Sequence, residues 1–469
     1  MTAPTARPDR GGSGPLWLYS LVWWLATPAL LMSLVWRGFR QPGYRHAIRE
    51  RFGYGTARKG TQPLLWLHAV SVGETRAAEP LVRALAARWP DASILLTHMT
   101  PTGRNTGAAV FADLIAAGRL EQRWLPWDYP GAMRRLLRRT RPSLGILMET
   151  ELWPNLMAAA SQAAVPVVLV SARLSEKSLR KGLRWRALIE PALQSLAQVF
   201  AQTPSDAERL ARLGRPGVPV LGNLKFDIPP PAPMLALGGH WRKCLLSVNA
   251  RRGVIVLAST REGEEAMLFD AWHRQIATIR ADERPLLVVV PRHPQRFDEV
   301  TALAQSRGWR VARRSQFAAD PSGSDQTGSD HAGYVQTGSD QPGPDAANAD
   351  VLIGDSMGEM FAWYALADIA IIGGAFAPLG GQNLIEACAV GRPLVFGPHM
   401  FNFQEISRDA IAVGAAVQVA DAAQALGTAL ALLADAPQRA AMAQAAKGFA
   451  AQHRGATERT LEAIDHLLR

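Results

Sequence analysis

Cysteine and acidic residues are scarce in this sequence of 469 residues. It contains two cysteines, Cys244 and Cys388, which lie far apart along the chain. This excludes a disulfide framework and a multi-cysteine zinc site, and it is typical of a protein from a reducing compartment. Lysine and arginine number 51 against 40 aspartates and glutamates, so that the formal net charge is +11. The excess predicts an anionic partner: nucleic acid, an acidic membrane surface or a phosphorylated substrate.

Charge is absent from Gly11 to Trp36, and residues 16–36 are almost wholly apolar. A helix of about 20 such residues can just cross a bilayer. No A-x-A cleavage site follows, which argues against a signal peptide. We therefore expect an anchor that spans the membrane or lies in its interface, with a buried core helix as the alternative. Five arginines follow within residues 37–51 against two before the segment, so the remaining chain is predicted to be cytoplasmic.

The rest of the chain is too long for one ordinary core and predicts two domains. Short apolar runs alternate with amphipathic stretches, which is typical of parallel β-α-β units. The proline-rich segment 222–234 predicts a linker. We expect an α/β protein with an anchor at 1–40 and Rossmann-like domains at 41–228 and 235–469 that face each other across a ligand-binding cleft. The low-complexity segment 320–349 predicts a disordered insertion without EF-hand spacing.

Strands and helices can be placed along both halves. The run "LLWLHAV" (64–70) predicts a strand, and residues 74–89 predict a helix with apolar side chains at helical spacing. Further strands are predicted in the runs SILLTHM, PSLGILMET, VPVVLVSAR, LAQVFAQT, GVIVLAST, PLLVVVPRH, ADVLIGDS, DIAIIGGA and RPLVFGPH.

The segment "VLIGDSMGEM" (351–360) fits the G-x-S-x-G pattern of a hydrolase nucleophile elbow at Ser356. Asp368 and His399 follow in the chain order that a hydrolase triad requires. Little chain remains after the serine to complete a hydrolase sheet, and the preceding strands are of the nucleotide-binding type. A serine hydrolase is therefore kept only as an alternative of a different class.

Glycines and a carboxylate mark one loop of the second half, residues 370–398. Paired glycines let a backbone approach a ligand closely, and the helix that follows would offer N–H groups to a phosphate. On that helix Asn383 and Glu386 would share a face, where a carboxylate could bind ribose hydroxyls. Arg292, at the end of another strand, could pair with a phosphate. Each of these features also has a purely structural interpretation: the glycines could be required for packing, Glu386 could be an ordinary surface residue, and Arg292 could form a surface salt bridge.

Three glutamates of the first half, Glu74, Glu149 and Glu151, follow predicted strands near helix starts. Acidic residues in such positions can simply balance a helix dipole. Parallel strands nevertheless place Glu74 and Glu149 on the same side of the first sheet. Carboxylates in one half and an anion cradle in the other predict group transfer from a nucleotide donor.

A series of motifs resembles the Kdo (3-deoxy-D-manno-octulosonic acid) transferases of Gram-negative bacteria, from the apolar N-terminus to about residue 405. In chain order the motifs are HAVSVGETRAAEPLVRAL, TPTGR, METELWPNL, ARLS, GNLKFD, STREGEE, VPRHP, GDSMGEM and GGQNLIEACAVGRPLVFGPHMFNF. The segment 320–349 departs from the family pattern.

The resemblance implies an inverting glycosyltransferase of the GT-B type that needs no metal or other cofactor. It implies transfer of Kdo from CMP-Kdo to the lipid A precursor lipid IVA at the cytoplasmic face of the inner membrane. Glu74 would be the general base, with Glu149 and Lys225 as transition-state stabilisers. The positions that would bind CMP are Pro291, Arg292, Met357, Gly358, Glu359, Asn383, Leu384, Ile385 and Glu386.

The positive charge then has a natural partner in acceptor phosphates and anionic inner-membrane lipids, and not in nucleic acid. Basic residues lie beside apolar ones at 131–141 and 176–186, as in membrane-contacting segments. The same pattern of basic and apolar residues is also typical of ordinary solvent-exposed helix faces. The alternatives to Kdo transfer are a GT-B enzyme that uses a UDP-sugar, the serine hydrolase, and a non-catalytic membrane scaffold.

Overall fold

Two parallel β-sheets organise the chain in the computed structural model, which describes residues 13–247, 249–317 and 341–468. These residues divide into a first unit, 13–228 and 454–468, and a second unit, 229–317 and 341–453. The predicted α/β class with two parallel-sheet domains is confirmed. The chain passes from the first unit to the second between Ile228 and Pro229, inside the proline-rich segment.

The first sheet has the strand order β3-β2-β1-β4-β5-β6, and all of its paired strands are parallel. Leu65 and Leu67 of β1 pack on one face, while Leu64 and Trp66 pack on the other. Because both faces are covered, the strand is one apolar run. The strands are β1 Leu64–His68, β2 Ser93–His98, β3 Leu120–Trp124, β4 Leu144–Met148, β5 Val167–Ala172 and β6 Gln198–Ala201.

Helices cover both faces of this sheet. The last helix of the chain packs against α2, which places residues 454–468 in the first unit rather than in the second domain as expected. Apolar side chains of that helix, Leu461 and Ile464, join the cluster under β1, a long-range pairing that no local pattern reveals. The helices are α1 Ser13–Arg40, α2 Val72–Arg88, α3 Pro101–Val110, α4 Ala112–Ala116, α5 Pro130–Thr140, α6 Pro154–Gln162, α7 Glu176–Arg184, α8 Arg186–Gln194, α9 Pro204–Arg212 and the C-terminal helix Ala456–Ile464.

The apolar helix α1 lies along the first unit. Its Ser20 hydroxyl donates to Asn155 Oδ1 at 3.0 Å, and its Thr27 hydroxyl lies 2.7 Å from the Tyr129 hydroxyl. Trp23 packs edge-on against Tyr129, with 5.7 Å between the ring centroids. Residues three and seven apart share a helix face, so these contacts form one stripe along α1.

The stripe on α1 meets a buried polar site. Asp128 is fully buried, and its carboxylate accepts backbone N–H groups of Asn155 and Leu156 at 3.0 and 2.8 Å. The Tyr19 hydroxyl of α1 also hydrogen-bonds to this carboxylate. A buried carboxylate needs such donors, so the helix is fixed to the domain by specific contacts as well as by apolar ones.

The second sheet has the strand order β13-β12-β11-β7-β8-β10-β9 and is also parallel in its paired strands. The strands are β7 Val254–Thr260, β8 Leu286–Pro291, β9 Val311–Arg313, β10 Val351–Ile353, β11 Ile369–Ile372, β12 Leu394–Phe396 and β13 Ala416–Gln418. The helices of this unit are α10 Ala232–Leu245, α11 Glu264–Ile276, α12 Phe297–Gln305, α13 Pro344–Ala347, α14 Met360–Leu366, α15 Ile385–Val390, α16 Gln404–Ala412, α17 Ala422–Ala434 and α18 Ala436–Gln452.

The end of the low-complexity segment is ordered, which corrects the expected limit of the insertion. Ala346 and Ala349 are buried, and the Arg252 guanidinium donates to the backbone oxygens of Ala347 and Ala349 at 3.2 and 2.6 Å. Both alanine side chains are small and apolar, so they pack in the interior of the second unit. Residues 320–340 of the predicted disordered loop lie outside the described residues.

Candidate functional site

The carboxylate of Glu74 lies in the first turn of α2, directly after β1. Its Oε2 atom accepts a hydrogen bond of 2.7 Å from the backbone N–H of Val70. Burial raises the pKa of Glu74 to about 7; the charges of Glu149 and Glu151 add to the rise, while the Val70 hydrogen bond and Lys225 oppose it. A carboxyl group with a pKa near neutrality can take a proton from a hydroxyl at physiological pH.

Glu149 follows β4, the neighbour of β1, in a left-handed backbone conformation with φ of +52°. This conformation costs a non-glycine residue about 1–2 kcal/mol. The backbone is pinned on both sides, since Glu149 N–H donates to Val170 O at 3.0 Å and Arg173 N–H donates to Glu149 O at 3.2 Å. Strain of this kind concentrates at functional sites. Because α6 begins only at Pro154, Glu149 is not a partner of that helix dipole.

The Glu149 carboxylate is buried beside two cations. Lys225 Nζ donates to its Oε1 at 2.6 Å, and Arg173 Nη2 lies 3.8 Å from its Oε2. Burial alone would raise the pKa of Glu149, but the charges of Lys225 and Arg173 outweigh it and the pKa is lowered. Burial and the charge of Glu149 instead raise the pKa of Glu151, whose Oε2 accepts the indole N–H of Trp153 at 2.9 Å. Neighbouring carboxyl groups thus have pKa values pushed apart, which suits a division between base and fixed anion.

A chain of amides holds Lys225 in place. Asn223 Oδ1 accepts the Lys225 backbone N–H at 3.0 Å, and Asn223 Nδ2 donates to Gln202 Oε1 at 3.1 Å. Gln202 Nε2 donates in turn to the backbone oxygen of Ser171 at 2.9 Å. Sequence reasoning missed Arg173, Gln202 and Asn223. Asn223 stands within the motif GNLKFD, but nothing in the sequence marks Gln202.

The residues predicted to bind the nucleotide lie at one edge of the second sheet, where Pro291 ends β8 and the others follow strands β8, β10 and β11. Pro291 is buried and pairs with Thr260 at the end of β7, and the side chain of Arg292 is exposed. Met357 is 46% exposed, and Gly358 has a φ of +87°, which only glycine adopts readily. Arg292, Met357 and Gly358 are therefore positioned to reach a ligand at this edge.

Glu359 differs from these residues because protein donors occupy its carboxylate. The guanidinium of Arg314, which is fully buried, donates to it through Nε at 3.1 Å and Nη2 at 3.0 Å. The Ser356 hydroxyl donates to the same carboxylate. Glu359 can thus shape the loop, while any direct contact with a ligand falls to its backbone and its neighbours.

Ser356, Asp368 and His399 do not form a triad. The Asp368 carboxylate accepts the Val254 backbone N–H at 2.9 Å, at the start of β7, and pairs with Arg242 at 2.9 Å. Ser356 follows the carboxyl end of β10, at the opposite edge of the sheet. The two edges are separated by the length of a strand such as β11, in which each residue adds about 3.3 Å. Ser356 and Asp368 are therefore too far apart to belong to one triad.

The loop at 373–384 is organised differently from the expectation. Helix α15 begins at Ile385, so Asn383 and Leu384 precede it rather than lie within it. Asn383 Oδ1 accepts the Ile385 backbone N–H at 3.1 Å, and Asn383 Nδ2 donates to Glu386 Oε1 at 3.1 Å. The pair is brought together as predicted, but by hydrogen bonds of the Asn383 side chain just before the helix and not by a shared helix face.

Glu264, which the sequence analysis did not select, orders this loop. It is fully buried, and its carboxylate accepts backbone N–H groups of Gly374 at 2.6 Å, Phe376 at 2.8 Å and Arg261 at 3.0 Å. Gly373 must be glycine for packing, since a Cβ there would lie 2.7 Å from Ser259 O. Within the described residues, no group of three or more His, Cys, Asp or Glu side chains has the arrangement of a metal site.

A family model described as 3-deoxy-D-manno-octulosonic-acid transferase (kdotransferase) matches residues 46–228. A 3-deoxy-D-manno-octulosonic acid transferase from Bordetella pertussis is 47% identical over 444 residues, which cover 94% of this chain and 96% of the relative. The chain belongs to the Kdo transferase family. Another member, from Haemophilus influenzae, is 32% identical over 454 residues, covering 95% of this chain and 97% of the relative. The resemblance inferred from the motifs is confirmed.

Among solved structures, this family member is similar to a UDP-GlcNAc 2-epimerase from Neisseria meningitidis bound to UDP-GlcNAc. The TM-score is 0.53 at 13% identity, and the match covers 86% of this chain and 100% of the epimerase. Identity at that level shows the fold alone, which is the GT-B-like class predicted from the sequence.

Proposed function

We propose that the protein transfers Kdo from CMP-Kdo to the lipid A precursor, lipid IVA, in lipopolysaccharide biosynthesis, with inversion at the anomeric carbon. The observation that carries this function is the carboxylate cluster at the edge of the first sheet. There Glu74, with a pKa of about 7, lies beside a strained and ion-paired Glu149 in a chain of the Kdo transferase family.

Glu74 is the general base in this proposal. An acceptor hydroxyl bonds to the anomeric carbon of Kdo while its proton passes to the Glu74 carboxylate. The bond between that carbon and the phosphate oxygen breaks, and CMP leaves with the electron pair. General-base assistance of this kind contributes about 10²–10⁴-fold to the rate.

The pair of Glu149 and Lys225 stabilises the charges of the transition state. Glycosyl transfer develops positive charge on the sugar ring, which an anionic Glu149 can offset. Lys225 supplies positive charge for the Kdo carboxylate or the leaving phosphate. Charges already fixed by protein contacts need no reorganisation when the reaction occurs.

The second unit binds the CMP part of the donor in this account. Arg292 contributes a cation, Asn383 to Glu386 offer polar groups, and Pro291 and Met357 to Glu359 shape the adjoining loops. The support is their common position at the carboxyl edge of one parallel sheet, where such folds bind ligands.

We place the protein on the cytoplasmic side of the inner membrane, with α1 lying in the interface. Crossing a bilayer takes about 20 apolar residues. In α1 the contacts with the first unit extend from Ser20 to the buried Leu34, which leaves too few free residues to cross. The outer face of α1, with Trp17 and Trp36 more than half exposed, suits the lipid side. Basic side chains at 131–141 and 176–186 would meet anionic lipids.

To test the activity, the detergent-solubilised protein and lipid IVA are incubated with CMP-Kdo or with UDP-sugars. The molecular mass of the lipid product is then determined by mass spectrometry. The proposal predicts a mass gain of one or more Kdo residues with CMP-Kdo alone. Transfer confined to UDP-sugars would establish the rival GT-B function, and product formation with neither donor would support a scaffold.

The interfacial position is tested by labelling a cysteine introduced as Ser13→Cys in a Cys244→Ser, Cys388→Ser background. A membrane-impermeant maleimide should react in inside-out vesicles and not in intact spheroplasts, because both ends of α1 stay on the cytoplasmic side. The reverse pattern would mean that α1 crosses the bilayer.

A further inference from the structure

A large apolar cavity lies beside the carboxylate cluster, within the first unit. Its volume is about 850 Å³, which falls in the range of about 300–1,000 Å³ that is typical of small-molecule sites. Residues of α1, β5, α7, α8 and α9 line it. The lining also includes Glu149 and Arg173, which belong to the site described above. We call this space the α1 cavity.

The residues of α1 that line the cavity lie mostly outside the stripe of Ser20, Trp23 and Thr27, and Tyr19, which hydrogen-bonds to Asp128, lines the cavity as well. Pro15, Leu18 and Val22 line the α1 cavity at helical spacing, and Leu25 continues that spacing beyond it. Leu18 and Val22 remain more than half exposed, so the cavity is open on the side where α1 presents its apolar outer face. The space is thus continuous with the surface that we place against lipid.

The lining contributed by α7 and α8 combines apolar residues with cations. Ala187 and Leu188 of α8 face the cavity, whereas Lys181 and Arg184 of α7 line it with exposed side chains. Long basic side chains beside apolar surface suit a ligand that has both an anionic group and a hydrocarbon part. A fully water-soluble sugar phosphate would leave the apolar lining unused.

We propose that the α1 cavity binds an acyl chain of the lipid acceptor while Lys181 and Arg184 bind its phosphate, so that α1 is part of the acceptor site. This inference rests on the proposed function, since it assigns a place to the lipid portion of that acceptor. The apolar lining, the cationic rim, the opening toward the lipid-facing side of α1 and the reach to Glu149 all favour an acylated, phosphorylated occupant.

The test fills the cavity without changing the apolar character of α1. Leu18→Trp and Ala187→Trp place an indole into the cavity from α1 and from α8, and Leu25→Trp makes the same change two helical turns along α1, outside it. For each protein, kcat/KM is measured with the acylated acceptor and with its chemically deacylated form. We expect the ratio of the two to fall by about tenfold or more in both cavity variants, the size of effect produced by losing one or two buried apolar groups, and to stay unchanged in Leu25→Trp.

An unchanged ratio in both cavity variants would overturn the inference, and so would an equal fall in Leu25→Trp. Failure of the proposed function is a separate result, because wild-type protein would then transfer Kdo to neither acceptor. Acceptor with a photoactivatable acyl chain adds a readout without catalysis. Cross-links should map by mass spectrometry to residues 14–22 and 178–189 and be lost in Leu18→Trp, whereas cross-links elsewhere would contradict the assignment.

Discussion

The carboxylate of Glu74 in the first unit differs from those of Glu264 and Glu359 in the second in how far protein donors satisfy it. In the first unit Glu74 accepts one backbone hydrogen bond and has a pKa of about 7. In the second unit Glu264 accepts several backbone N–H groups, and Glu359 is held by Arg314 and Ser356. A saturated carboxylate stabilises a loop, while a poorly solvated one with few donors remains free to take a proton. From this contrast we propose that Glu74 of the first unit takes part in the chemistry, while Glu264 and Glu359 of the second unit position the ligand-binding loops.

The largest effect is expected from Glu74→Gln. The amide can still accept the Val70 hydrogen bond but cannot take a proton, so the transfer rate should fall by about 10²–10⁴-fold. The rate is measured as CMP release, with Glu79→Gln, a partly exposed, ion-paired position on the same helix, as the control. Near-normal activity in Glu74→Gln would contradict the role of Glu74 as the general base.

The same variant should not lose stability. Because the pKa of Glu74 is raised on folding from 4.5 to about 7, the folded state holds more protons than the unfolded state between those values. The unfolding free energy of the wild type should therefore fall as pH rises from about 4.5 to 7, and Glu74→Gln should lack this loss. Urea denaturation at pH 5 and pH 8 measures it, and an equal pH dependence in both proteins would contradict the raised pKa.

Glu264→Gln, unlike Glu74→Gln, should reduce the stability of the protein. Its amide group would face N–H donors, so we expect a loss of about 1–3 kcal/mol in unfolding free energy together with weaker CMP binding. Thermal unfolding and calorimetric titration with CMP measure the two effects. Glu262→Gln, at an exposed neighbour, should change stability by no more than about 0.5 kcal/mol. Normal stability and CMP affinity in Glu264→Gln would contradict the role of Glu264 in stabilising the ligand-binding loop.

Lys225→Met should shift the pH dependence of kcat/KM in addition to reducing the activity. The ammonium group lowers the pKa of Glu74, so its removal should shift the acid limb of kcat/KM to a higher pH. The sign follows because a positive charge favours the ionised carboxylate. A limb that moves to a lower pH would show that another group titrates.

Ser356→Ala should have the smallest effect. It removes one donor from the Glu359 carboxylate, which keeps Arg314, and should cost about 0.5–1.5 kcal/mol of stability. Kdo transfer should persist at near the wild-type rate. Complete loss of activity in a variant that still unfolds cooperatively would revive the role of Ser356 as a nucleophile.

Most of the fold was predictable because both sheets are buried on two faces and their strands are apolar runs. The strand β3, with sequence LEQRW, was missed because it is polar at the sheet edge, and β9 and β13 are short edge strands. The return of residues 454–468 to the first unit depends on tertiary packing that local patterns do not encode.

The candidate site was predictable in part. Glu74 and Glu149 could be placed on one edge because parallel strands order their loops, while roles for Glu74, Glu149 and Lys225 came from the family resemblance and stay predictions. The strained backbone at Glu149 and the saturation of Glu264 and Glu359 depend on contacts between distant loops. Sequence patterns identify residue types at loop positions but not how many donors each carboxylate receives.

The role of Glu74 as the general base can be measured in the pH dependence of kcat/KM for Kdo transfer, compared between the wild type and Glu74→Gln. The account predicts that wild-type activity rises through an apparent pKa of about 7, as Glu74 ionises, and that the residual activity of Glu74→Gln shows no such limb. The same limb in Glu74→Gln, or a wild-type profile that is flat from pH 5.5 to 8.5, would contradict the assignment of Glu74 as the general base.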